Sequence, residues 1–126
     1  MATSGEHEEI STQFLDQAEE EFRKGDLLQA SEKAWGAFSH YVNSVARRNH
    51  WPVGSHRALI ENANRMIDRD SAQSEYRRRL VRSLEGLHAN FYQAFLDEES
   101  VRGGIDDAKE LIQALSDLEV DPGPTG

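Results

Sequence analysis

Arg82 and His88 are the two side chains in this sequence whose types and spacing suit work on a phosphodiester. An imidazole can take a proton from a hydroxyl, and a guanidinium can stabilise the charge that builds on phosphorus. They sit in one run, Arg77-Arg78-Arg79-Leu80-Val81-Arg82 followed by Leu87-His88-Ala89-Asn90-Phe91-Tyr92, with five residues between them. On an ideal helix positions six apart diverge by ~120°, so the pair does not converge within one chain. Arg78 shares more of the His88 side but lies ~15 Å away along the axis. Convergence on one anion therefore requires the reach of long side chains or a second copy of the chain. Otherwise His88, at the edge of the apolar face, hydrogen-bonds across a helix interface, and the arginines coat the surface. Tyr92, four residues after His88, is placed to hydrogen-bond it. Asn90 points away from the core as a surface or partner residue. His56, at the start of another helix, is either a partly buried packing group or a ligand to a bound anion. Arg78, His56, Asn90 and Tyr92 are thus the binding candidates, and Arg82 and His88 the catalytic ones.

Other chemistry is hard to place. There is no cysteine, so no disulfide or thiolate metal site is possible. No pair of histidines has metal-ligand spacing with a carboxylate on one helix. Arg102-Gly103-Gly104 lacks the strand and lysine of a phosphate-binding loop, and no nucleophile elbow occurs. No cofactor is expected. His40 and His50 read as exposed, and Trp35 and Trp51 as core and loop packing. The net charge of −9 argues against a general nucleic-acid binder, and no DNA partner is expected. That charge is unevenly spread. Residues 1–46 carry nine acids and three bases, residues 47–82 nine arginines and four acids, and residues 83–126 ten acids and two bases. A basic middle of this kind either neutralises its acidic neighbours, forms a dimer contact with an acidic flank, or binds an anion or RNA. No apolar run is long enough to span a bilayer, and a cytoplasmic protein without a membrane partner is expected.

The elements that position these residues are helical throughout, and no stretch alternates as a strand would. The first helix covers about Glu6 to Lys24, with Ile10, Phe14, Ala18 and Phe22 inward. Gly25-Asp26 ends it and caps the next. The second, about Leu27 to Asn49, has two apolar stripes, one through Ala30, Ala34, Phe38, Tyr41 and Val45, the other through Leu28, Trp35, Val42 and Ala46. Such a helix packs on more than one neighbour. Ser55 caps a short third helix to about Asp68. The fourth covers about Gln73 to Asp97, with Tyr76, Leu80, Leu84, Leu87 and Phe91 inward. Ser100 caps the fifth, which ends near Leu118, and Gly103-Gly104 weakens its first turns. The fold class is all-α, a four- to five-helix and mostly up-and-down bundle in one domain over residues 1–118, with a disordered tail at 119–126.

The stretches Gly25-Asp26-Leu27-Leu28-Gln29-Ala30-Ser31-Glu32-Lys33-Ala34-Trp35, Ser55-His56, and Leu87-His88-Ala89-Asn90-Phe91-Tyr92 together resemble the PaREP-type branch of the HEPN superfamily. The resemblance covers roughly Ile10 to Leu118. It implies a HEPN-like bundle that is commonly homodimeric. Many members of that superfamily are metal-independent ribonucleases of toxin–antitoxin or defence systems. Their site holds an arginine, a spacer of four to six residues and a histidine, assembled across the dimer. Arg82 and His88 match that spacing. Ser83 stands where active enzymes usually carry an amide or acid, and Gly86 loosens the helix between the pair. The favoured expectation is a non-enzymatic domain that dimerises and binds a partner protein or a nucleotide. The alternative is a ribonuclease with a composite Arg82/His88 site.

Overall fold

The computed structural model describes residues 4–90 and 97–119, and within them every regular element is helical: α1 Ser4–Arg23, α2 Leu27–Arg48, α3 His56–Ile67, α4 Ser74–Asn90 and α5 Glu98–Glu119, with a single 3₁₀ turn, Ser71–Gln73, before α4. The tail and Tyr92 lie outside the described residues. Local chemistry explains the boundaries. Asp26 accepts a hydrogen bond from the Gln29 N–H at 3.1 Å, and Ser55 accepts from Ala58 at 3.0 Å, each satisfying a donor that the first helical turn leaves unpaired. At α5 the expected cap is displaced. Asp97, not Ser100, is the capping residue, accepting from the Ser100 N–H at 2.7 Å. Asp97 therefore opens α5 rather than closing α4. A carboxylate serves this position better than a hydroxyl because it also meets the positive end of the helix dipole.

α1 and α2 end in the same turn built from different residues. In each, the N–H two residues past the cap bonds back five residues, Asp26 to the Glu21 carbonyl and Trp51 to the Ala46 carbonyl, both at 2.9 Å. The motif needs a left-handed residue just past the cap. Gly25 supplies it at φ 83°, whereas in the second turn His50 does so at φ 61°.

α2 packs against all four other helices, as its two stripes require. Phe38, Tyr41, Val42 and Val45 are buried in the centre of the core. Contacts between side chains fix the helix directions. Only residues 24–26 separate α1 from α2, and Phe14 meets His40 and Gly36 at matching distances from that turn, so α1 runs against α2. Glu19 meets Arg102, with Thr12 near Gln113, so α5 runs against α1. Tyr76 reaches Glu110 and Ser83 reaches Asp107, so α4 runs against α5. α3 breaks the alternation. His56 stacks near Trp35 in the first half of α2, while Arg65 and Arg69 lie at Trp51, beyond its end. The seven residues 49–55 thus carry the chain back, and α3 runs parallel to α2.

Several inward assignments shift. On α1 the buried stripe is Ser11, Leu15 and Ala18, with Phe14 and Phe22 at its edge and Ile10 exposed. Leu28 is also exposed. Tyr76 is 43% exposed, because its hydroxyl donates to the Glu110 carboxylate at 2.7 Å and keeps the ring at the surface. Gly104 is buried against Leu87, and a Cβ there would strike the leucine side chain. This glycine sets the α4–α5 approach, which offsets its poor helix propensity.

α1 and α5 are also tied by charge. The Arg102 guanidinium donates to both oxygens of Glu19, at 2.7 and 2.6 Å, and Lys109 donates to the same carboxylate. The hydrogen bonds from Arg102 outweigh the opposing effect of burial and, with Lys109, hold Glu19 down to about 2. A carboxylate lowered on folding contributes stability above its unfolded value of 4.5, and that contribution is lost as pH falls towards 2. Thermal melts across this window should show a steep loss of stability that Glu19→Gln flattens. Replacing His50 by glycine should relieve the left-handed strain and stabilise the protein by up to about 1 kcal/mol in denaturant titration.

Candidate functional site

The two histidines singled out in the sequence, His56 and His88, come together on one aromatic surface. Trp35 is 7% exposed, and both imidazoles stack on it. His88 lies 4.7 Å from it, centroid to centroid, at an interplanar angle of 12°, and His56 lies 5.9 Å away at 22°. Each imidazole also meets a carboxylate from a different helix. His56 Nε2–H donates to Glu85 Oε2 at 2.7 Å, and His88 Nδ1 lies 3.4 Å from Glu32 Oε1. The cluster joins α2, α3 and α4. Glu32 and Trp35 are three residues apart on α2, and Glu85 and His88 three apart on α4, so each pair shares a helix face. That spacing was the available signal for Trp35, Glu32 and Glu85, which reading residue by residue missed.

The cluster is graded in exposure. The His56 side chain is 55% exposed and that of His88 29%. His56 is therefore more open than a packing histidine, and reaches outward from the first position of α3. Each ring has an aromatic face below it and a carboxylate beside it, an arrangement that orients an imidazole. Among the described residues no group of three or more histidines and carboxylates is placed to hold a metal ion, and no helix is long and apolar enough to cross a membrane.

The arginines of the run are elsewhere. Nη2 of Arg78 donates to both Asp68 oxygens at 2.7 Å, joining α4 to the end of α3, while its Nε donates to Ser74 at 3.4 Å. Arg77 pairs with Asp70 at 3.2 Å. Arg82 is exposed and, six positions before His88, falls on a different side of α4. The structure thus does not bring Arg78 or Arg82 to the imidazoles within one chain. Asn90 is the last residue of α4, and its side chain lies outside the described set. His40 was expected to be exposed. It is instead half-buried against the Phe14 ring at 5.9 Å; burial, aided by the nearby Arg47, pushes it below the usual imidazole value.

A second concavity, of about 470 Å³, opens between α4 and α5 beside Gly86, Gly103, Ser100, Glu99 and Asp107. Burial pushes the Asp107 carboxyl up, Ser83 donating to it at 3.0 Å moderates the effect, and the charges of Glu110 and Asp106 add to it. Among the described residues this cleft is lined by acids and has no basic group to receive an anion.

The model of the archaeal PaREP1/PaREP8 family matches residues 6–112, which takes in all of α2, α3 and α4 and the whole imidazole cluster. The chain belongs to this family. No curated protein matches it. Among solved structures, a Sulfolobus solfataricus protein superposes with a TM-score of 0.70 over 93% of this chain and 97% of its own, at 21% identity. That likeness establishes the PaREP1/PaREP8 chain's fold and carries no activity with it.

The stack makes the two histidines unequal in the fold. His88→Ala removes a half-buried ring from a close parallel stack and should cost roughly 1–2 kcal/mol. His56→Ala, at an exposed site, should cost less than about 1 kcal/mol. Urea titrations of the two variants at pH 7 check the order, and Trp35 fluorescence should respond to both.

Proposed function

We propose that this PaREP1/PaREP8 chain is a HEPN-like domain that forms a homodimer and acts as a non-enzymatic binding module for a partner protein or a nucleotide. The observation that carries this reading is the engagement of His88 with Trp35 and Glu32. A histidine held in a stack at a three-helix junction is a structural and recognition group, and Arg82 points to a different side of its helix. The commitment of Arg78 to Asp68 and Ser74 supports the same reading, since it leaves that guanidinium fewer donors for a phosphate. The outer side of α4, with Arg79 and Arg82 exposed, is the surface assigned to the dimer contact.

Two observations favour the ribonuclease alternative. Arg82 and His88 keep the five-residue spacer, and His88 is not fully buried. In that mechanism His88 takes the proton of a ribose 2′-hydroxyl and an arginine of the other protomer stabilises the phosphorane.

Light scattering on the eluting wild-type protein should return about twice the chain mass, and Arg82→Glu should return the monomer. A mixed RNA pool incubated without metal should be left intact by the wild type and by His88→Ala alike. Cleavage by the wild type that His88→Ala abolishes would instead establish the alternative.

A further inference from the structure

The outer side of α4 and the cleft beside it adjoin and carry opposite charge. Projected at about 100° per residue, Arg79, Ser83 and Gly86 fall within about 60° of one another, and Arg82 lies about 40° beyond Gly86. Ser83 marks the α5 side of this strip, since it donates to Asp107 at 3.0 Å. Arg79 and Arg82 therefore stand along the rim of the cleft that Ser83, Gly86, Gly103, Glu99 and Asp107 line. Both arginines are exposed, and among the described residues neither makes an ion pair. Their neighbours Arg77 and Arg78 are each matched by a carboxylate.

The cleft is the negative counterpart. Burial and, with it, the charges of Glu110 and Asp106 push the Asp107 carboxyl up, and a cation entering the cleft would relieve that repulsion. Glu99, at the other end, is exposed. Glycine keeps the floor open. A Cβ at Gly86 or Gly103 would meet nothing within 4 Å, whereas one at Gly104 would strike Leu87. A glycine inside a helix costs up to about 1 kcal/mol relative to alanine. At Gly104 the approach of α4 and α5 explains it; at Gly86 and Gly103 no contact within the chain does. The space they leave admits a long side chain from outside.

A strip and a cleft of opposite charge on one face are self-complementary under a two-fold axis. Let the α4 helices of two copies lie antiparallel, with the axis between Arg82 and Ser83. Arg79 of one copy then opposes Gly86 of the other, and Arg82 opposes Ser83, beside Asp107. Side chains on a helix lean towards its N-terminus, so Arg79 leans towards Glu99 of the other copy.

We propose that the α4–α5 cleft is a docking site for a second copy of this chain, each copy placing Arg79 and Arg82 in the cleft of the other. This rests on the dimer reading above and adds the surface that the α4 arginines meet.

Sedimentation equilibrium on the full chain tests it. Gly86→Leu fills the cleft from within and should raise the dimer dissociation constant at least about tenfold, the effect of an occluded contact. Its fold should be kept, since leucine favours a helix over glycine, and circular dichroism melts check this. Arg79→Glu with Arg82→Glu should give a monomer, and so should Glu99→Lys with Asp107→Lys, because like charges then face each other. Mixed, these two variants should form a one-to-one heterodimer, since both sets of contacts are again opposite in sign. If Asp107→Lys impairs folding, Glu99→Lys alone enters the same mixture. A wild-type dimer indifferent to Gly86→Leu, or a mixture that stays monomeric, overturns this arrangement and leaves the dimer reading standing. A wild-type monomer overturns both.

Discussion

The structure depends on covering α2. Its apolar surface spans about half the circumference, and a helix of that kind is stable only when neighbours exclude water from more than one side. Phe38, Tyr41, Val42 and Val45 are buried because α1, α4 and α5 surround them and α3 closes the remaining side. The reversed direction of α3 follows from this. A strictly alternating short helix would start at the Trp51 end; the long return of residues 49–55 lets α3 begin beside Trp35 instead. That return sets up two tryptophan clusters, with His56 at Trp35 at one end of α3 and Arg65 and Arg69 at Trp51 at the other.

The two clusters use the same device for different charges. Each lays cationic or protonatable planar groups on a tryptophan and holds them with polar partners from another segment. At Trp35 the partners are the carboxylates of Glu32 and Glu85. At Trp51 the partner of Arg65 is the neutral amide of Asn62.

The arginine-rich middle of the chain is likewise held by partners. Arg57, Arg77 and Arg78 are matched by Glu61, Asp70 and Asp68; the last two pairs organise the α3–α4 connection more than they add net stability. Arg102, outside that block, closes α1 onto α5 through Glu19. A count of charges along the chain records their sum and is blind to this sorting.

Much of the fold was legible in the sequence because it rests on local rules. Apolar spacing placed the five helices, Gly25-Asp26 and Ser55 marked boundaries through the donors they satisfy, and the double stripe of α2 put it at the centre. The errors were also local: Asp97 caps α5 in place of Ser100, and Tyr76 stays at the surface because Glu110 lies within reach of its hydroxyl. The candidate site was legible only as parts. Sequence singled out His56 and His88 by residue type and position, but Trp35 read as core packing, and Glu32 and Glu85 were not singled out. That Trp35 collects both imidazoles, that Arg78 is taken by Asp68, and that Asn62 aims Arg65 at the Trp51 ring were decided by tertiary structure alone. Periodicity reports which face of a helix avoids water. It carries no information on which neighbour covers that face or at what axial level, and these contacts depend on both.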